Sequence, residues 1–366
     1  MFISSTDPHN VAAKIKEKAA GRKVILTVPE KTILDIPQLI EELNKLDVQF
    51  MGGIFPKIIC QNDLYDEGIV VNFVDRVATL FVTQNLREKD FTIPSTALDR
   101  EKDYCAFTMI DGLTGNISNY LSELYRVFGT NCLYLGGGAG SLTLEQKPCV
   151  FSNEGFFMNA AITIIYETSG SIGVQHGWEK IEGPIIATKT DKNIIQELNW
   201  RNALEVYKEI VKSDCGKELN EDNFFDIAKS YPFGIVKDNS ECVVRDPIAT
   251  NDKGELICVG EVFNNTMLDV LKGKEENLLE SANKAAQLAV ESFPNPTSAV
   301  IIDCISRTLF LEDHFQKELD NVVSLLKKEN DQMFIGGALT LGEISSFNGY
   351  LELFNKTIVI GLFGRK

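Results

Sequence analysis

Apolar residues along this chain fall into short continuous runs and into helical stripes, and one ordering of the two recurs three times. In the first copy Lys23-Val24-Ile25-Leu26-Thr27-Val28 reads as a buried strand, a helix follows, and Phe50-Met51-Gly52-Gly53 ends a second strand, with more strand at 68–71 and 78–81. The plan returns as 104–110, a helix, Tyr134-Leu135-Gly136-Gly137-Gly138, then 155–157 and 161–165. It returns again as 299–304, a helix, Phe334-Ile335-Gly336-Gly337, then 349–353 and 357–361. Steps of three and four put Ile36, Leu39, Ile40, Leu43 and Leu46 on one helix face. Ile117, Leu121, Leu124, Tyr125 and Phe128 form a second stripe, and Phe315, Leu319, Val322, Val323 and Leu326 a third. Each stripe must lie on a sheet. The pattern predicts a mixed α/β, α+β-like fold: layered mixed sheets flanked by helices, built from repeated β-α-β-β-β units.

At 366 residues the chain is long for one core, which predicts two domains. Copies one and two form the first, over 22–191, and copy three with an intervening region forms the second, over 192–363. That region reads as strands at 171–178 and 185–190, helices at 202–211 and 221–229, strands at 242–245 and 256–259, and a long helix over 274–291 that Pro294 and Pro296 stop. No Gly/Ser-rich or Pro-rich linker separates the parts, so they are expected to pack closely.

A net charge of −16 with no basic stripe disfavours nucleic acid and anionic membranes as partners. The start lacks a signal-peptide pattern, and the longest apolar run, 156–166, contains Asn159 and is too short to span a bilayer. A cytoplasmic address is expected. Eight scattered cysteines without a close pair argue against a zinc or CxxC site and for reduced structural thiols.

The run Gly136-Gly137-Gly138-Ala139-Gly140 resembles a phosphate cradle, but it leads into Ser141-Leu142-Thr143-Leu144-Glu145, which alternates like a strand rather than opening a helix. Close backbone approach between layers is the main reading, and the floor of a small-ligand pocket is the other. Of three histidines, His9 falls in a short N-terminal arm and His314 on the polar side of a helix. His176, in Gly173-Val174-Gln175-His176-Gly177-Trp178, ends a strand and reads as a structural histidine, a ligand contact or an axial haem ligand. No Cys–His nucleophilic pair, GxSxG elbow or HExxH is evident. Asp111 and Asp303 follow equivalent strands, and turn or capping roles are expected for them over a carboxylate pair.

Together with the glycine run and the His176 segment, Glu197-Leu198-Asn199 to Ala203-Leu204-Glu205-Val206-Tyr207, Tyr231-Pro232-Phe233-Gly234-Ile235, Val244-Arg245-Asp246-Pro247 and Gly336-Gly337-Ala338 to Gly342-Glu343-Ile344 resemble FIST (F-box and intracellular signal transduction) domains. The resemblance runs from about residue 22 to 363, N-terminal part before C-terminal part. It implies a cytoplasmic small-molecule sensor with amino acids or similar compounds as ligands and no catalytic role. Relatives are often fused to an output module, and the three residues after Phe363 leave no room for one here, so a separate signalling partner is expected. Relatives also tend to carry a histidine next to the asparagine in the segment that reads Phe354-Asn355-Lys356-Thr357 here. The expected pocket lies at the domain junction, lined by Gly136, Gly137, Gly138, Gly336 and Gly337 and by His176, Trp178, Arg245, Asp246 and Glu343. Arg245 would hold a carboxylate, and Asp246 or Glu343 an ammonium group. The alternative is that Arg245 and Asp246 pair with each other or cap a turn. Two further readings are a haem protein that senses nitric oxide through His176 and an enzyme of unrecognised type. Neither metal nor haem is favoured, since no second residue supports His176.

Overall fold

The computed structural model describes residues 1–88, 91–237, 242–347 and 349–364. The threefold pattern of the sequence becomes a ring of three units. The first comprises β1 (Phe2–Ile3), α1 (Pro8–Ala19), β2 (Lys23–Pro29), α2 (Ile36–Lys45), β3 (Phe50–Phe55), the hairpin β4 (Lys57–Cys60) and β5 (Asp63–Tyr65), and β6 (Ile69–Val74). The second comprises β7 (Val77–Thr83), β8 (Tyr104–Asp111), α3 (Ile117–Phe128), β9 (Cys132–Ala139), the hairpin β10 (Val150–Ser152) and β11 (Gly155–Phe157), and β12 (Ala161–Glu167). The third opens with β13 (Ser169–Gln175), is interrupted by β14 (Glu179–Asp191), β15 (Ile194–Leu198), β16 (Arg201–Asn202), α4 (Ala203–Cys215), α5 (Phe224–Ala228), β17 (Phe233–Ile235), β18 (Val243–Thr250), β19 (Leu256–Val259) and β20 (Thr266–Lys272), and then resumes. Its remainder is α6 (Glu275–Ser292), β21 (Ser298–Cys304), α7 (Ile305–Leu311), α8 (Phe315–Glu329), β22 (Phe334–Thr340), the hairpin β23 (Glu343–Phe347) and β24 (Tyr350–Phe354), and β25 (Ile358–Gly364).

Every unit is wired alike. The strands flanking the striped helix pair in parallel, β2 with β3, β8 with β9 and β21 with β22, which requires the crossover that the helix supplies. The last strand returns antiparallel to the first, β6 on β2, β12 on β8 and β25 on β21, and the opening strands β1, β7 and β13 add at its free edge. Each stripe is buried on its own sheet: Leu39 and Leu43 with Leu26 and Val71, Leu121 and Leu124 with Ala106 and Ile165, and Leu319 and Val322 with Ile301 and Ile360.

The hairpins do not stay in their own sheets. β10–β11 completes the sheet of unit one through β3, β23–β24 that of unit two through β9, and β4–β5 that of unit three through β22. Three donations close a cycle, so no sheet is complete without a neighbouring unit. The glycine pairs lie at these joins, with Phe151 opposite Gly52, Ile344 opposite Gly136 and Cys60 opposite Gly336. A Cβ on Gly52 would sit 2.2 Å from the Phe151 ring, on Gly136 1.9 Å from the Thr108 carbonyl, and on Gly337 1.9 Å from the Ile301 carbonyl.

The interruption in unit three is a closed barrel. β14, β20, β17, β18, β19 and β15 pair antiparallel in that order, and β14 pairs back to β15, with β16 added outside. Closure leaves no edge among these strands, and Tyr207, Phe233, Leu268 and Val270 belong to its core. Asp191, where the domain boundary was placed, ends β14, and β15 pairs with it across the same hairpin.

Two local expectations are corrected. Residues before Lys23 are not merely an arm: Asp7 accepts from the Asn10 amide as an N-cap, Pro8 starts α1, and Val11, Ala12, Ile15 and Ala19 are buried, so His9 sits on a helix and meets Glu42. Residues 141–145 alternate but form no strand. Ser141 turns on the Glu30 carboxylate, Leu144 has φ +54°, and Leu142 and Leu144 are exposed. Among the described residues no helix is long and apolar enough to cross a membrane.

Gly337→Ala should therefore lower stability by about 3 kcal/mol or more, because backbone must move to admit the methyl group. Gly115→Ala, whose Cβ would meet only Arg87 at 3.9 Å, should change it by no more than about 0.5 kcal/mol. Urea denaturation of both variants checks the contrast.

Candidate functional site

The turn from β24 into β25, residues 353–357, gathers most of the polar residues singled out in the sequence. Trp178 donates its indole N–H to the Lys356 carbonyl at 3.0 Å, and Arg245 donates Nη1 to the Leu353 carbonyl at 3.0 Å. Glu343 accepts from the Thr357 amide at 3.2 Å and from the Thr340 hydroxyl at 2.9 Å. Asp246 binds Lys356 Nζ at 3.1 Å and the Ser306 hydroxyl at 2.7 Å. Lys356 Nζ also donates to the Lys229 carbonyl at 2.9 Å and lies 4.7 Å from the centre of the Trp178 ring. A buried ammonium group is tolerable on those terms.

Arg307 holds the back of this network and is fully buried. It donates through Nη1 to the His176 carbonyl at 2.6 Å, through Nη2 to the Leu278 carbonyl at 3.1 Å, pairs with Glu318, and approaches Asp303 at 3.4 Å. Burial works against its charge, but Glu318 and Asp303 outweigh it and raise its pKa. Asp303 is pushed well above the usual carboxylate range by burial and by Glu318. Asp111, at the matching position of unit two, instead accepts from the Leu113 amide at 3.0 Å, the Asn159 amide at 2.7 Å and the Gln146 side chain at 2.7 Å. The two carboxylates do not share a site.

Successive residues of a strand face opposite ways, and Arg245 and Asp246 are separated accordingly. Arg245 spends Nε on the Glu261 carbonyl at 2.9 Å and Nη1 on the Val244 carbonyl at 3.0 Å, besides Leu353, and burial lowers its pKa. Asp246 pairs with Lys356 rather than with its neighbour. His176 accepts the Trp178 amide at Nδ1, 2.9 Å away, so its proton resides on Nε2, which faces Cys242 Sγ at 3.4 Å. Burial, then Arg307, lowers its pKa to about 4. This imidazole cannot take a proton from Cys242, and with both nitrogens engaged it does not fit an axial haem ligand. Among the described residues no cluster of His, Cys, Asp and Glu is placed to hold a metal ion.

Beside the network lies a cavity of about 630 Å³, within the usual range for small-molecule sites. It opens where the carboxyl ends of β8 and β21 face the barrel, the place where open α/β sheets put their ligands. Gly112 and Thr114 come from unit two, Ser306 and Leu309 from α7, Asp246 and Ile248 from β18, and Asn355 from the turn. Asn355 and Asp246 are each 1% exposed. Among the described residues, both polar atoms of the Asn355 amide, and Oδ1 of Asp246, are buried with no hydrogen-bond partner. Of the residues anticipated from sequence, Asp246 lines this cavity. His176, Trp178, Arg245 and Glu343 lie outside its wall, and Gly136, Gly137, Gly138, Gly336 and Gly337 pack within the sheets, while Gly112, Gly115, Gly260 and Gly342 are the glycines at the wall. Arg307 and Ser306 escaped the sequence reading, and Asn355 and Lys356 entered it only as the segment where relatives tend to carry a histidine, with no role given to either. Arg307 and Lys356 could have been suspected as lone cations in apolar surroundings, but only the fold brings Asn355 and Ser306 together.

Two family models match the chain: the FIST N domain over residues 2–201 and the FIST C domain over residues 203–346. The chain belongs to the FIST family. Comparison with curated proteins gave no match.

Glu343 is fully buried, and burial, only partly offset by Thr340 and the Thr357 amide, raises its pKa from 4.5 to about 8. The folded state therefore retains a proton that the unfolded state gives up, so stability from this group is present below about pH 4.5 and is lost as pH rises through about 8. Glu343→Gln should flatten the decline between those limits, which a shift of that size sets at roughly 5 kcal/mol. Chemical denaturation across that range checks it; parallel curves would show that Glu343 is ionised throughout.

Proposed function

We propose that this FIST-family protein is a small-molecule sensor whose ligand occupies the cavity between unit two, unit three and the barrel. The observation that carries the reading is the cavity itself, about 630 Å³ and walled jointly by unit two, α7, the turn at 353–357 and the barrel. Amino acids or similarly small polar metabolites are the class the family suggests.

The walls support a signalling role. They come from both the ring and the barrel, so filling the space bears on how the barrel seats on the ring, and a separate partner protein reads the change. A catalytic role finds less support. Cys304 at the wall has its pKa raised well above the ordinary thiol value by burial and by Glu343, which opposes a nucleophilic thiolate.

Thermal shift against pooled polar metabolites tests the proposal. The native protein should gain about 2.7 kcal/mol from a pool whose active member is at a hundredfold excess over its dissociation constant. Leu309→Trp, which fills the cavity from α7, should abolish the gain. A gain of equal size in the variant would place binding elsewhere and sink the reading.

A further inference from the structure

Each acid at the cavity wall has its own buried cation. Asp246 binds Lys356 Nζ at 3.1 Å, and Glu261 lies against Arg245, which donates Nε to its carbonyl at 2.9 Å and whose charge Glu261 supports against burial. The two exposed cations at the wall, Arg87 and Lys192, pair with no acid among the described residues. Neutral groups hold Arg87 instead. Its amide donates to Asn159 Oδ1 at 3.0 Å, its carbonyl accepts from Asn116 Nδ2 at 2.8 Å, and its Nη2 donates to the Gln146 side chain. Asp111 fixes two of these anchors, accepting from the Asn159 amide and from Gln146 Nε2 at 2.7 Å each. The stem of Arg87 runs past Gly115 on the cavity wall, where a Cβ would meet its Cγ at 3.9 Å. Nε and Nη1 have no partner among the described residues, so a positioned guanidinium keeps donors open to a ligand. From these residues we infer that the cavity binds a small monocarboxylate with a hydrocarbon body and no ammonium group, and that Arg87 receives the carboxylate.

The surface that a ligand can touch accounts for the hydrocarbon body. Asp246, Asn355, Cys258 and Cys304 are withdrawn from solvent, whereas Leu113, Phe225, Ile248 and Leu309 are partly open, and Leu142 and Leu144 stand 40% and 45% exposed. Covering those side chains is favourable in proportion to the area removed from water. Charge then sets the sign of the head group. A guanidinium offers a carboxylate parallel N–H donors, and Lys192, in the turn from β14 to β15, adds a second positive charge from the barrel. An ammonium group would meet two unpaired cations and no free acid, and would lose water without recompense. Ion pairs at exposed positions are individually weak, so the hydrocarbon supplies most of the affinity and Arg87 selects the charge. This rests on the proposal that the cavity is the ligand site, and narrows it.

3-Phenylpropionate, 3-phenylpropanamide and phenylalanine share one body. The amide differs from the acid only in charge, and phenylalanine only in its ammonium group. Binding to the full-length protein is measured by ligand-observed NMR at pH 7 and low salt, with circular dichroism confirming that each variant is folded. The acid is expected to bind at least about fivefold tighter than either analogue. Arg87→Gln, at an exposed position, should bring the acid down to the level of the amide while leaving the amide within about twofold of its native affinity. Lys192→Gln should cost the acid less, about twofold. Phenylalanine binding tightest, the amide binding as well as the acid, or a preference for the acid that survives Arg87→Gln would each overturn the assignment, as would the absence of binding by all three probes. A metabolite-induced shift abolished by Leu309→Trp alongside any of those results would confine the failure to the ligand class.

Discussion

Arg307 is the contact on which the join between ring and barrel depends. Its guanidinium has no access to solvent, and stripping a cation of water costs several kcal/mol unless its donors are answered. They are answered by Glu318 on α8, by the Leu278 carbonyl on α6 and by the His176 carbonyl just past β13. His176 precedes the barrel in the chain and Leu278 follows it, so one side chain clamps both ends of a segment of about a hundred residues. Removing the cation would leave Glu318 buried and unpaired, which is costlier than losing the attraction alone. Lys356 repeats the logic one step nearer the cavity, holding Asp246 of the barrel against the ring.

The ring explains why these ionic contacts can sit where they do. A sheet completed by a neighbour's hairpin cannot drift from that neighbour without breaking ladder hydrogen bonds, and the cycle applies this to every unit. β23–β24, donated by unit three to unit two, leads directly into the turn that carries Asn355 and Lys356. The strand exchange that builds the scaffold also positions the cavity wall. In unit two the pseudo-equivalent hairpin β10–β11 leads instead into Asn159, whose amide donates to Asp111 at 2.7 Å.

Much of this was legible in the sequence because it follows from period alone. The three stripes, the three buried opening strands and the glycine pairs gave the repeat, since a helix face and a sheet face each write their spacing into the chain. Hairpin donation was not legible. Residues 57–65 carry no spacing that says which sheet they join, and only long-range packing decides that β4 pairs with β22. The barrel was visible as strands but not as a closed object, for closure depends on β14 pairing at both of its edges. α1 was missed although Asp7-Pro8 announces a helix start, because its apolar positions are partly alanine and make a weak stripe. At the site, Asp246 was recognised, but the expected partners were a ligand ammonium group or adjacent Arg245 rather than Lys356, since sequence proximity says little about a strand whose neighbours face apart.

Asn355 shows why the cavity wall is harder to read than the core. An apolar core position declares itself by period, and a buried ion pair by a charge where none should be, but an asparagine next to a turn is ordinary in any sequence. Its abnormality exists only in three dimensions, where the fold withdraws both water and protein partners from it. Replacing it with a hydrocarbon would relieve an unsatisfied amide, so the residue lowers the stability of the free protein.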